Sequence, residues 1–241
     1  MKFELLPTVD VMLGIYKMPL SMERFNAYIK ILQGNTKDDL VMPVGGFNPM
    51  AKDHAIQKLE ELKALQAEAI IQKTLSAINT KFSNHKNPGV FRVALNLSDD
   101  LHGGWTNRYT SDYDSKFKIN ALVNRKFCTP IFWTSENFTA ELIEERTLEY
   151  VYRTVYWQSN PKPKTLEDHI VQEKFVAENI GRKSSTKINT ESLESFYKKH
   201  HQSEEYHIIF NFLYGDAASK SLEFPTHGII EEMAGFKYSG Q

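Results

Sequence analysis

Between Gly89 and Ser98 the chain alternates, with Phe91, Val93, Leu95 and Leu97 apolar and Arg92, Ala94, Asn96 and Ser98 between them. Successive side chains of a strand point to opposite faces, so this is the pattern of a half-buried strand. "FKINALVNRKF", residues 117–127, alternates too, with Phe117, Ile119, Ala121 and Val123 on one side. "PIFWT", residues 130–134, reads as a shorter third strand after a turn at Thr129–Pro130. Elsewhere the apolar positions recur at helical spacing. The pattern predicts an α+β fold, helix-dominated, with a small mid-chain antiparallel sheet over about residues 90–98, 117–127 and 130–134.

The predicted helices are bounded by cap and stop residues. Residues 4–17 place Leu5, Leu6, Val9, Met12, Leu13 and Tyr16 on one side. Ser21 caps a second helix that Gly34 ends. Asn48–Pro49 reads as a helix start, and no Gly or Pro follows from Met50 to Phe82. The apolar phase drifts near Ala64, which predicts one bent helix or two short ones. Further helices are expected over about 135–157, 165–180 between Thr165 and Gly181, and 191–201. "SEEYHIIFNFLYGDAASKSL" is either a buried helix or a strand followed by a helix, and its length and cap-like Ser203 favour helix. A last short helix is expected over 226–234. With 241 residues the chain suits a single domain, with a helical part over 1–85 packed on an α+β part over 86–241.

Composition narrows the function classes. The net charge is −1, from 29 basic and 30 acidic residues, so no whole-chain field draws the protein to nucleic acid or to an anionic membrane. No run approaches the ~18 apolar residues of a membrane span. Glu4, Pro7 and Asp10 interrupt any signal-peptide core. Cys128 is the one cysteine, so neither an intramolecular disulfide nor a cysteine-based zinc site can form. A cytoplasmic protein is expected. The common catalytic motifs, HExxH, GxSxG, CxxC, the P-loop and the dinucleotide-binding glycine fingerprint, are missing from the chain.

Two places carry chemistry. The first is "SDDLHGGWTNRYTSDYDSK", residues 98–116, read as a loop between two strands. Connections beyond roughly 12–15 structureless residues are uncommon and often functional. Asp99 and His102 sit just past a strand end, where they can move protons. Trp105 and Tyr109 can stack on a ring. Asn107 and Arg108 offer donors, and Arg108 can hold a carboxylate or phosphate in a fork. The structural alternative is a tucked-in loop, with Trp105 in the core and Arg108 paired to Asp112 or Asp114.

The second place is the helix "TLEDHIVQEKFVAENI". Glu173 falls inside its apolar stripe, with His169 one turn before it. Such a carboxylate must be paired, hydrogen-bonded, metal-bound or protonated. His169 and Glu173 can therefore be two ligands of a divalent metal, or an acid–base pair. A structural ion pair with Arg146 or Arg153 is the favoured alternative. Those two arginines lie seven residues apart among aromatics and can also form an anion-binding wall.

The composite expectation is a protein that binds a small polar or anionic molecule. Asp99, His102 and Glu173 are its candidate proton-moving groups, and hydrolysis is the best-fitting chemistry. Trp105, Asn107, Arg108, Tyr109, Arg146 and Arg153 are its candidate ligand contacts. The rival expectation is a non-catalytic interaction protein using the aromatic-rich segment as its binding surface.

Overall fold

The computed structural model describes residues 1–34, 39–51, 53–83, 89–101, 107–182 and 190–240. The chain divides into two compact units, Met1–Val151 and Tyr152–Gln241. The first unit contains β1 (Lys2–Leu5), α1 (Val9–Tyr16), α2 (Met22–Gln33), α3 (Asp53–Ala64), α4 (Ala67–Lys81), β2 (Val90–Val93) and β3 (Asn96–Ser98). It continues through α5 (Arg108–Phe117), α6 (Asn120–Asn124), β4 (Phe127–Cys128) and β5 (Ile131–Trp133), and it ends within α7 (Ala140–Ser159).

The sheet is parallel throughout, which corrects the antiparallel expectation. β2 lies between β1 and β4, with Phe3 opposite Phe91 and Val93 opposite Cys128, and β3 pairs with β5 through Leu97 and Phe132. Backbone bonds from Ala94 to Cys128 and from Asn96 to Pro130 carry the ladder across the gaps between β2 and β3 and between β4 and β5. Alternation reports which face a side chain takes and is the same for either strand direction. Direction follows from the connection, and α5 and α6 supply the crossover that a parallel return requires.

Residues 117–127 therefore hold the end of α5, the whole of α6 and only the start of β4. Ile119 and Val123 are both buried and four apart, so the same positions also satisfy a helical face. The first predicted helix is shortened in a similar way. Phe3 is fully buried and stacks on Phe91 at 5.5 Å, which makes residues 2–5 a strand. The helix begins only after Pro7. Glu68 Oε1 accepts the backbone N–H groups of Thr8 and Val9 at 2.6 and 3.0 Å, satisfying donors that the new helix leaves open.

Several local expectations match. Ser21 caps α2 by accepting from the Arg24 N–H, and Gly34 follows its end. The drift near Ala64 is a break: Gln66, at φ 54°, separates α3 from α4. Asn48, however, makes a turn in which its Oδ1 accepts from Met50, and α3 starts at Asp53.

The second unit is helical among the described residues. It holds the end of α7, then α8 (Leu166–Ile180), α9 (Thr190–His200), α10 (Tyr206–Tyr214), α11 (Asp216–Ser221) and α12 (Ala234–Ser239). Thr165 and Asp168 form a reciprocal capping box at the start of α8, and Gly181 ends that helix in the left-handed region. α10, the "YHIIFNFLY" segment, is a buried helix that packs against α8, α9, α11 and α12. The last helix lies later than residues 226–234, since α12 starts only after Met233 in the left-handed region. Gly215 joins α10 to α11 at φ 86° and ψ 178°, a region open essentially to glycine alone. A Cβ there would also lie 2.5 Å from the Glu231 carbonyl oxygen.

Candidate functional site

The parallel strands deliver a cluster of polar side chains to one end of the sheet. Ser98 closes β3, and Asp99 and Asp100 follow it; Trp133 closes β5, and Thr134, Ser135 and Glu136 follow it. The Thr134 N–H donates to the Ser98 carbonyl at 3.0 Å, which sets the two strand ends side by side. Helix α3 supplies the third wall. His54, Lys58 and Glu61 recur at i, i+4 and i+7, one stripe of that helix. Lys58 Nζ donates to the Glu136 carbonyl at 2.7 Å, and Glu61 accepts from the Phe138 N–H, docking the stripe onto the segment after β5.

At the centre, His54 Nε2 lies 2.9 Å from Asp99 Oδ1. The two side chains are only 19% and 10% exposed, so the contact is largely shielded from water. Asp99 also accepts from the Thr134 hydroxyl at 2.9 Å and from the Leu101 N–H at 3.2 Å. Burial pushes the Asp99 carboxyl up, but the close imidazole of His54 and the bonds from Thr134 and Leu101 more than reverse this and hold it below its ordinary 3.8. Asp99 therefore remains a carboxylate beside the imidazole across the neutral range.

Asp100 organises the neighbouring layer. Its carboxylate accepts from the Ser135 N–H at 2.9 Å, the Ser135 hydroxyl at 2.6 Å and Arg108 Nη1 at 2.9 Å. Arg108 also donates to Ser135 Oγ and lies over the Trp133 ring. Its side chain remains 42% exposed, so its charge is presented to solvent while Asp100 fixes its position. Asn107 acts locally, capping α5 through the N–H groups of Tyr109 and Thr110. Tyr109 is half-buried in the first turn of that helix. Arg146 is a clamp: it reaches the Ile131 carbonyl at 2.6 Å and both Glu136 oxygens, at 2.8 and 3.3 Å. His102 and Trp105 lie outside the described residues.

Asp99, Arg108, Asn107, Tyr109 and Arg146 thus belong to the first unit. Arg153, His169 and Glu173 belong to the second, where Arg153 pairs with Glu173 and His169 bonds within its own helix. Arg153 donates through Nε and Nη2 to the two Glu173 oxygens, at 2.8 and 2.5 Å, and both side chains are buried. Gln172 bonds Glu173 Oε1 and also receives the Trp157 indole N–H. With both oxygens engaged by arginine, Glu173 is the anchor of an ion pair. His169 Nδ1 lies 2.7 Å from the Thr165 carbonyl, so that nitrogen carries a proton and donates it. No group of three or more metal-ligating side chains occurs among the described residues.

Burial lowers the pKa of His169 from 6.5, against the opposing effects of Thr165, Asp168 and Glu173. The unfolded chain therefore takes up a proton near 6.5 that the folded chain still refuses, and stability falls as pH drops below that value. In urea melts at about pH 7.5 and about pH 5.5, His169→Gln is expected to lose less stability between the two than the native chain. An equal loss would show that His169 does not set this slope.

Sequence reasoning missed His54. The signal was present as a polar stripe, His54, Lys58 and Glu61, set against the buried stripe Ala55, Leu59 and Leu62 on the same helix. No helix among the described residues is long and apolar enough to cross a membrane. Comparison with known proteins finds no matching family model, no similar curated protein and no similar solved structure.

Proposed function

We propose that the chain binds a small polar molecule at the carboxyl ends of β3 and β5 and performs an acid–base reaction of hydrolytic type on it. The observation that carries this reading is the shielded His54–Asp99 contact at those strand ends. Open sheets of parallel strands hold their ligands at that edge, because the loops there can diverge while the strands keep their ends fixed. His54 would take a proton from a bound water or hydroxyl as it attacks, and return it to the leaving group. Asp99 would orient the imidazole and balance its charge. Arg108, steered by Asp100 and open to solvent, would hold negative charge developing on the substrate.

Arg108→Ala separates this role from a structural one. The Arg108 end of its ion pair is exposed, and the shielded Asp100 carboxylate keeps the Ser135 N–H and hydroxyl when the guanidinium is removed, so the variant is expected to lose only about 1–2 kcal/mol. It is expected to lose the melting shift that binders from a panel of esters, amides, sugars and phosphate esters give the native chain. A variant several kcal/mol less stable that still shows the full shift would make Arg108 a structural residue and remove it from the site.

A further inference from the structure

We infer that Arg24 is an oxyanion receptor: its Nε and Nη2 edge is built to take two oxygens of a carboxylate or phosphate group carried by the ligand of the strand-end site. The inference rests on the strand-end reading and names the chemical class of its ligand.

Arg24 lies in the first turn of α2 and is 4% exposed. Its Nε and Nη2 are both shielded from solvent, and neither has a hydrogen-bond partner among the described residues. No carboxylate of the described residues forms an ion pair with it. A guanidinium held this way has lost hydration without gaining a counter-charge, a costly state. Burial holds its pKa below the ordinary value, opposed only by Tyr16.

The same protein shows what this edge is for. Arg153 presents Nε and Nη2 side-on to Glu173, and the two oxygens of the carboxylate fill them. That fork matches two oxygens of one oxyanion and few other groups. Arg24 leaves the same two atoms unpaired and shielded, with its guanidinium set against a ring. Its guanidinium carbon sits 4.4 Å from the centre of the Tyr16 ring. Tyr16 is itself held by its hydroxyl bond to the Asn48 carbonyl at 2.6 Å and by edge contact with Phe47 at 4.8 Å.

Tyr16 also ties Arg24 to the strand ends. Burial raises the pKa of the Tyr16 phenol, Arg24 opposes that rise, and the carboxylate of Asp99 adds to it. The contacts run the same way: at the end of β3 the Ser98 hydroxyl donates to the Gly46 carbonyl at 3.1 Å, and Phe47, next in the chain, meets the Tyr16 ring on which Arg24 lies. A ligand spanning this distance would place its anionic group on Arg24 and its reacting group at His54.

The test is a melt of the full chain against inorganic phosphate, glycerol phosphate, acetate and succinate, with ionic strength matched by chloride. Native protein, Arg24→Met and Arg24→Lys are compared. A saturating shift of about 5–11 °C at ~100 times the dissociation constant is expected in the native chain. It should vanish in Arg24→Met and shrink in Arg24→Lys, which keeps the charge but loses the fork. The phosphate and carboxylate series tell which oxyanion is preferred. Arg24→Met without ligand should melt at or above the native temperature, because it removes an uncompensated buried charge. No saturating shift, or an equal shift in Arg24→Met, overturns the inference. Neutral ligands that bind at the strand ends equally well in Arg24→Met would leave the strand-end reading standing and remove this one. Anions that require Arg24 but are indifferent to Asp99→Asn and His54→Ala would do the reverse.

Discussion

Glu173→Ala is expected to cost the chain about 3–5 kcal/mol of stability. The reason is what the substitution leaves behind. Arg153 is 1% exposed, and its Nε and Nη2 are satisfied by the two Glu173 oxygens. Without the carboxylate, the guanidinium stays in the interior and loses the two oxygens that fill its Nε and Nη2, and Gln172 Nε2 loses a bond as well. Replacing both ends of the pair, as in Arg153→Met with Glu173→Leu, removes the charges together and should recover most of the loss. Urea denaturation of the native chain, the single variant and the double variant decides the matter. A single variant within about 1 kcal/mol of native would show that the pair adds almost nothing.

Asp99→Asn carries the largest functional effect. If His54 moves the proton, the group that orients and balances it is worth about 10²–10⁴-fold in kcat/KM, read on whichever p-nitrophenyl ester or phosphate reporter the native chain turns over. The amide keeps an oxygen for the Thr134 hydroxyl and the Leu101 N–H, so the fold should survive the change. A second readout comes from acid. The Asp99 carboxyl is held below its ordinary 3.8, so its contribution to stability is present above that value and is lost as pH falls through the lower folded value. Asp99→Asn should remove that part of the acid limb. Unchanged turnover in the variant would separate the dyad from any reaction.

Much of the helical structure was legible in the chain because caps and stops are local. Ser21, Gly34, Thr165 and Gly181 mark helix ends through bonds and φ angles that need no distant partner. Strand direction was not legible. It depends on how Arg108–Phe117 and Asn120–Asn124 coil between β3 and β5, and the alternation of Phe117, Ile119, Ala121 and Val123 hid that coiling.

The site followed the same division. Asp99 was visible because it sits just beyond a strand pattern, and Arg108 because it is a forked donor in the polar segment that follows. Glu173 was visible as a charge on an apolar stripe, and the pattern favoured an ion pair with Arg146 or Arg153, of which the structure uses Arg153. His54 and Arg24 were hidden because their meaning is tertiary. His54 matters through a residue 45 positions later, and Arg24 through the partner it lacks.

The ligand site proposed for this chain lies at the carboxyl ends of β3 and β5. Amide chemical-shift mapping tests it most directly, with the native chain titrated against the binder that gives the largest melting shift. The expected result is a saturable set of shifts at Asp99–Leu101 and Thr134–Glu136, extending to Tyr16 and Arg24 when the binder is an anion. Saturable shifts confined to other parts of the chain, with those amides unmoved, would contradict it.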